Sequence, residues 1–533
     1  MTEPTRQQPG FDLWTAPWIT LERPAGGMER VGIEQALLRA HEYRAIFEPS
    51  PLAVVGIHRL LTAVLQDALH LACRADVLDT WRAGIVPDQP VKQFAKQYGD
   101  RFDLFSTDMP FLQSADLPLT PDHAEAKSVA YLAPETPAGT NATHFCHGGE
   151  SGQAFCPACA AACLVTIPAF ATSGGQGIKP SINGVPPIYV IPGGASLFHS
   201  LVASLLLPDY QPKVASRQVD LAWWNRPPVV ARGSEVLDVG YLHSLTFAAR
   251  RVRLHPLRLD GICTRCGRGL EWGVRTMAFE MGECRPRDAP SWFDPFCAYR
   301  LRARDSTKPP TPIRPSAGKA AWREFASLFL QGSSDEDRER TLRPSVLDQI
   351  AWLELGGSDW IFPFRCVGLR TDMKAKVFEW VDSSLDVPAA LLKDERAGVR
   401  VEDALQFAGQ CGASIRSVFR ATFGGSGKSK RNEAVAARML DQFWTALADP
   451  FRIFIVGLAS SGAESRAGDL RRWVDTVLRQ GGRCFREASA TLGDDAASLR
   501  RRVEGERHCA FALAKLLHEF CSSQGWEGTH VGQ

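Results

Sequence analysis

Two Cys-x-x-Cys pairs, Cys156-Pro-Ala-Cys159 and Cys263-Thr-Arg-Cys266, are separated by about a hundred residues. Four thiolates in two such pairs make a closed tetrahedral zinc site, the kind that staples a fold rather than catalysing a reaction. The spacing also suits thiol redox chemistry. Cys156-Pro-Ala-Cys159 opens an Ala-rich helical run, and a helix N-terminus lowers a thiol pKa. No βαβ pattern surrounds that pair, however, and a redox reading leaves the second pair unused. Unconnected core cysteines are the third reading, and Cys146 and Cys163 lie near enough in sequence to substitute as ligands.

A zinc deaminase requires His-x-Glu followed by Pro-Cys-x-x-Cys. The chain offers His147-Gly-Gly-Glu150, one residue too long, and a Pro inside the cysteine pair rather than before it. The interval is also too short for an intervening strand and helix, so this chemistry is excluded. Gly425-Ser-Gly-Lys-Ser429 resembles a phosphate loop, but Thr422 stands where the motif needs Gly, and a helical segment precedes it instead of a strand. A charged inter-helix loop is the simpler reading.

Just after the first cysteine pair comes a glycine-rich basic stretch, residues 173–187, carrying Gly174, Gly175, Gln176, Gly177, Lys179, Asn183 and Gly184. Glycines allow a backbone to approach a ligand closely, and their N–H groups can face phosphates or base edges. Taken alone, the stretch reads first as a plain surface loop. Lys374-Ala375-Lys376 is a small basic hairpin-like element that by itself signals only a solvated turn, and Arg500-Arg-Arg502 reads as a solvated helix face. With 12 His and 59 acidic residues, chance pairings are expected, and no catalytic constellation rises above them.

The elements that must position these residues fall into two textures. Up to about residue 385, short strand-like runs (18–21, 188–191) alternate with helical stretches (52–71, 197–206) among frequent Pro and Gly, with long loops at 132–152 and 308–318. Beyond it come four long amphipathic segments, 401–423, 434–458, 468–492 and 496–521. The third places Leu470, Trp473, Val474, Val477 and Leu478 on one stripe, and the fourth does so with Ala510, Leu513, Ala514, Leu517 and Cys521. The expected class is therefore α+β. An irregular mixed domain with a structural zinc site, residues 1–385, precedes a four-helix bundle, residues 386–533.

At 533 residues, 45% hydrophobic and 23% charged, the chain has the size and composition of a multidomain globular protein. A formal net charge of only +2 excludes a coat of basic charge but leaves room for a local basic groove. Scattered cysteines indicate a reducing compartment rather than a disulfide framework. Residues 1–10 lack a signal-peptide core and no uninterrupted run of 18 apolar residues occurs, so a cytoplasmic protein without a membrane span is expected.

The order and spacing of these features resemble the large-subunit family, CasA, of the type I-E CRISPR surveillance complex Cascade. The similarity begins at Phe11-Asp-Leu-Trp14 and Trp18-Ile-Thr-Leu21. It continues through Ala142-Thr-His-Phe145, the cysteine pairs, the glycine stretch and the run 368–379, and closes on the helical segments. The resemblance implies a non-catalytic protein that reads the protospacer-adjacent motif on duplex DNA, promotes local unwinding and R-loop formation, and recruits an effector nuclease-helicase. By position, Phe145 corresponds to an aromatic touching the crRNA handle region and the motif end of the target. Gly174, Gly175, Gln176 and Gly177, with nearby Lys179, correspond to a loop entering the minor groove. Lys374, Ala375 and Lys376 correspond to a wedge that splits the first base pairs, although both lysines depart from the family pattern. A family minor-groove lysine falls between Arg275 and Arg287, with Arg275 and Arg285 as candidates here. Cys156, Cys159, Cys263 and Cys266 correspond to zinc ligands. Implied partners are the small, backbone and handle-binding subunits, crRNA, motif-bearing duplex DNA and the nuclease-helicase. The alternatives are a zinc-containing thiol or redox enzyme, and a zinc-stapled protein-interaction scaffold.

Overall fold

The computed structural model describes residues 9–119, 126–134, 152–173, 177–302, 309–316, 318–330, 340–357, 359–371, 377–424, 430–460 and 463–526. Among the described residues 49% are helical and 17% are in strands, a mixed helix-and-sheet protein as expected. It divides into two compact units. The first comprises Met1–Ala317, Gly332–Leu355 and Phe362–Ser384; the second comprises Gly318–Gln331, Gly356–Ile361 and Leu385–Gln533. Two short segments that precede residue 385 thus belong to the second unit.

The first unit is built around one helix, Pro51–Leu69, which opens with Pro at its first position and ends at His70 in the left-handed region, φ 47°. By length and apolarity this helix could cross a membrane, but 83% of its most apolar window is buried inside the fold. It also carries the buried polar side chains His58, Arg59, Thr62 and Gln66, each needing a partner in the surrounding protein. Gly56 explains how close its neighbour comes, since a Cβ there would sit 2.5 Å from the Val165 carbonyl oxygen. Around this helix the described residues form four three-stranded sheets. One contains the long antiparallel hairpin of Arg250–Ile262 and Gly269–Met281, with Lys127–Ser128 at its edge. Another has the order Val377–Pro388, Ile361–Thr371, Tyr189–Ile191. The runs expected at 18–21, 188–191, 52–71 and 197–206 appear as strands Ile19–Glu22 and Tyr189–Ile191 and helices Pro51–Leu69 and Leu197–Ser204. Within the expected loop 308–318, Thr311–Pro312 forms a short strand against Tyr299–Leu301.

In the second unit, four expected helical segments become five long helices: Glu395–Phe423, Lys430–Ala446, Ala448–Ser460, Ala463–Ala490 and Ala496–Ser523. The segment 434–458 breaks at Leu447 because Pro450 has no N–H to donate back to the Ala446 carbonyl, so a new helix starts around it. Of the stripe expected on Ala463–Ala490, Leu470, Trp473, Val474 and Val477 are buried and Leu478 is half-buried. The stripe expected on the last helix is rotated. Gly505, Cys509, Leu513, Leu516 and Phe520 face inward, while Ala510 and Ala514 are exposed. The physical reason is payload. Phe520 packs 4.7 Å from Phe407, ring to ring, and buries far more apolar surface than two alanines could. Trp322 and Phe325, from the short segment before residue 331, fill the other end of this core against Phe451 at 5.0 and 5.5 Å.

Candidate nucleic-acid interface and thiol cluster

The four predicted thiols converge. The sulfurs of Cys156, Cys159, Cys263 and Cys266 all lie within 4.8 Å of one another. Cys156 caps the helix Pro157–Leu164, whose Pro occupies its first turn, so Cys159 is carried back toward Cys156 after three residues. Cys263 and Cys266 sit in the turn of the long hairpin, closed by Cys263 N–H to the Arg268 carbonyl at 2.7 Å and Gly267 N–H to the Cys263 carbonyl at 2.8 Å. Gly267 has φ +72°, the left-handed conformation such a turn requires. Backbone holds the two halves together: Phe155 and Val274 exchange N–H···O bonds of 3.0 and 2.9 Å, and Thr264 N–H donates to the Ala154 carbonyl at 2.9 Å.

A tetrahedral ion with metal–sulfur bonds near 2.3 Å places its sulfurs about 3.8 Å apart. The Cys156–Cys266 sulfur separation is 3.8 Å. Cys156 N–H also points at the Cys263 sulfur at 3.2 Å, and Cys159 N–H at the Cys156 sulfur at 3.4 Å, which favours thiolate over thiol. Hydrogen bonding from Cys156 and Cys159 holds the Cys263 thiol far below its ordinary pKa, whereas bonds with Cys156 and then Cys263 drive Cys159 far above it. A divalent cation bound there would hold all four as thiolates and offset two of their four negative charges. Among the described residues Cys163 stands outside this cluster, and Cys146 lies outside the described residues.

The described residues flanking 174–176 are tied together. Ser181 N–H donates to the Ala171 carbonyl at 2.8 Å, and its hydroxyl to the Pro168 carbonyl at 2.5 Å. On the entry side the guanidinium of Arg250, itself only 4% exposed, donates to the Thr172 carbonyl. Burial pushes the Arg250 pKa down to about 10, which still leaves it charged at neutral pH. Gly177 has φ +76° and open space where a Cβ would be. Lys179 is half exposed, with its ammonium 3.6 Å from Glu235. Gly174, Gly175 and Gln176 lie outside the described residues, as does Phe145.

Lys374, Ala375 and Lys376 also lie outside the described residues. They connect Ile361–Thr371 to Val377–Pro388, neighbours in one sheet, and so short a connection requires an antiparallel pair. Cross-strand ion pairs brace this hairpin: Arg365 is bidentate to Asp382 at 2.8 and 2.8 Å, and Arg370 meets Glu379 at 2.6 Å. The third strand, Tyr189–Ile191, is the direct continuation of the glycine stretch. It pairs antiparallel to the first hairpin strand, with Val367 opposite Tyr189 and Arg365 opposite Ile191. Stepping back from Tyr189 therefore means stepping forward along Ile361–Thr371 toward its turn. Gly368 permits the approach, since a Cβ there would meet the Pro187 carbonyl oxygen at 3.2 Å and Pro315 at 2.5 Å. The exit of the glycine stretch and the hairpin turn thus lie toward the same end of one sheet. Of the two candidate arginines, Arg275 is exposed on its strand, while Arg285 is committed to the carbonyls of Pro290 (2.7 Å) and Leu237 (3.4 Å).

The family model for CRISPR-associated protein Cse1 matches residues 12–484. The chain belongs to the Cse1 family. A CasA/Cse1 protein of Thermus thermophilus is 29% identical over 538 residues, covering 96% of this chain and 98% of the relative. Among solved structures, Cse1 from Acidimicrobium ferrooxidans is 23% identical and matches with a TM-score of 0.77 over 97% of this chain and 100% of its own. A chain of a CRISPR RNA-guided surveillance complex, 20% identical, matches with a TM-score of 0.72 over 95% of this chain and 100% of its own. These two structures speak to the fold. Within this Cse1-family fold, sequence reasoning missed the anchors. The signal for Arg250 is an arginine in a strand run, which must find an internal acceptor if its strand is buried.

Proposed function

We propose that the chain is the non-catalytic large subunit of a type I-E Cascade surveillance complex. It reads the protospacer-adjacent motif in duplex DNA, promotes local unwinding and R-loop formation, and recruits an effector nuclease-helicase. The observation that carries this reading is the Cse1 family match along residues 12–484. The sheet register supports it, because the start of Tyr189–Ile191, which follows the glycine stretch, lies toward the end of Ile361–Thr371 that precedes Lys374, as a reader and a wedge acting on adjacent base pairs would need. Minor-groove reading is degenerate, so a loop of this kind accepts several related motifs. Base pairing with the guide then supplies sequence specificity.

In this reading Gly174, Gly175, Gln176, Gly177 and Lys179 approach the groove, Lys374, Ala375 and Lys376 open the first pairs, and Phe145 touches the handle region. Cys156, Cys159, Cys263 and Cys266 hold a structural zinc ion, whose contribution when bound is to fix the hairpin turn against the Pro157–Leu164 helix. The five C-terminal helices correspond to the family's four-helix bundle, with its second leg broken at Leu447. Partners are the other Cascade subunits, crRNA, motif-bearing duplex and the nuclease-helicase, in the cytoplasm. Convergence of all four sulfurs favours a metal staple over a redox pair, which would need only two.

The test is duplex binding by the chain assembled in its guide complex, against targets carrying every possible motif. Wild type is compared with a Lys374→Asp/Lys376→Asp variant. Motif-dependent binding that disappears in the variant is the expected result. Motif-independent binding unchanged by the substitutions would refute the reading.

A further inference from the structure

Between the glycine stretch and the sheet lies a buried polar network that neither the zinc staple nor the hairpin requires. Asp294, completely buried, pairs with Arg59 of the core helix at 3.2 Å, and Arg59 is itself only 1% exposed. One Asp294 oxygen also accepts from Phe296 N–H at 3.0 Å, and the other from the Asn183 amide at 3.2 Å. Asn183 belongs to the glycine stretch. The network fixes how its amide is turned. Asp294 N–H donates to the Tyr299 hydroxyl at 2.8 Å, so that hydroxyl donates onward to Asn183 Oδ1 at 3.0 Å. Tyr189 donates its hydroxyl to the Ala169 carbonyl at 2.9 Å and so accepts from Asn183 Nδ2 at 3.1 Å. Each of these hydroxyl, amide and backbone donors has its acceptor, and only one amide orientation satisfies them all.

A buried ion pair is a poor way to add stability, because desolvation offsets most of its attraction; what it can add is a single defined geometry. Here that geometry belongs to the exit of the glycine stretch. Gly184 N–H closes a turn on the Ser181 carbonyl at 2.8 Å, so residues 181–184 move with Asn183. On the entry side Arg250 holds Thr172, and Ser181 is bonded to Ala171. The described residues on either side of 174–176 are therefore pinned, Thr172 by Arg250 and Asn183 through Asp294 to the core helix.

We propose that Asn183, oriented by Tyr299 and the Arg59–Asp294 pair, is a positioning residue that sets how well motif-bearing duplex is distinguished from other duplex. This rests on the reading of the glycine stretch as the motif reader. Phosphate contacts hold any duplex, whereas discrimination needs the loop backbone at a fixed depth in the groove, so loss of the anchor reduces selectivity before affinity.

The test uses the chain in its full guide complex. Affinity is measured for a duplex bearing the preferred motif and for the same duplex with the motif scrambled. Asn183→Ala should lower the ratio of the two affinities about tenfold, the effect of losing one well-made buried hydrogen bond to a charged group, with scrambled-duplex affinity unchanged. Tyr299→Phe, which removes only the hydroxyl that orients the amide, should shift the ratio the same way and decides the matter if Asn183→Ala does not fold. An unchanged ratio in a folded variant, or equal losses on both duplexes, overturns the proposal. Gly175→Asp separates the two levels. If it lowers the ratio and the Asn183 and Tyr299 variants do not, positioning fails and the reader stands; if it too leaves the ratio unchanged, the reader itself fails.

Discussion

Glu283 shows what a single buried charge does to this protein. It accepts from Arg226 at 2.6 Å, from His243 at 3.2 Å and from Ala248 N–H at 3.1 Å. Burial alone would raise its pKa, but the His243 hydrogen bond and the Arg226 charge prevail and hold it at about 2. A carboxyl depressed in the folded state stabilises above its unfolded pKa, near 4.5, and loses that contribution as pH falls toward 2. The contribution is about 3 kcal/mol. Burial also lowers His243, so below pH 6.5 the unfolded chain gains a proton that the folded chain resists. Both effects destabilise on acidification. Urea unfolding from pH 7 to pH 3 should show a loss of stability that Glu283→Gln reduces. At the thiol cluster, Cys263→Ser should release zinc and lower the melting temperature of the first unit. Cross-links closing a loop of about a hundred residues are worth around 4–5 kcal/mol. Metal content and melting measured together check it. The cysteines were legible because ligand spacing is a local property of the sequence. The Arg59–Asp294–Asn183 network was not, since its members lie 235 and 111 residues apart and nothing local pairs them. Arg59 did leave one trace, as a charge within an otherwise apolar helical run.

Adjacent glycines in the helix Ala463–Ala490 separate propensity from packing. A Cβ on Gly481 would stand 2.8 Å from the Cys411 sulfur, so Gly481→Ala must push two packed helices apart. Overpacking of this kind typically costs about 1–3 kcal/mol. Gly482 would meet only the Arg486 guanidinium at 3.5 Å, and Gly482→Ala should stabilise by about 0.5–1 kcal/mol through helix propensity. Opposite shifts in thermal melting are the expected outcome. Element boundaries followed the same division between local and tertiary causes. Pro450 announces the break at Leu447 to anyone applying helix chemistry residue by residue, and the hydrophobic pattern alone ran across it. The rotated stripe of the last helix carried no such mark. Its inward face was chosen by Phe407 and Phe423 of another helix; a Cβ on Gly505 would lie 3.3 Å from Phe423.

Across the whole chain, 61 basic and 59 acidic residues leave a net charge of +2. On the proposed reading this chain's own share of duplex affinity would come from local contacts, and each phosphate neutralised adds about 0.9 to the slope of log affinity against log salt. A Lys374→Ala/Lys376→Ala variant should lower that slope by no more than two such increments, measured by titration between low and physiological salt. A flat slope in the wild type would contradict duplex binding. The turn and helix that bring the thiols together also have a consequence in time. Cys156 and Cys263 are 107 residues apart. At about 5–20 residues per second, a ribosome makes the second pair roughly 5–20 seconds after the first. Through that interval the nascent chain holds two reduced thiols without their partners, so on the zinc-staple reading the site can close only once the hairpin turn has been synthesised. On that reading a shortage of zinc would act first on chains still being born.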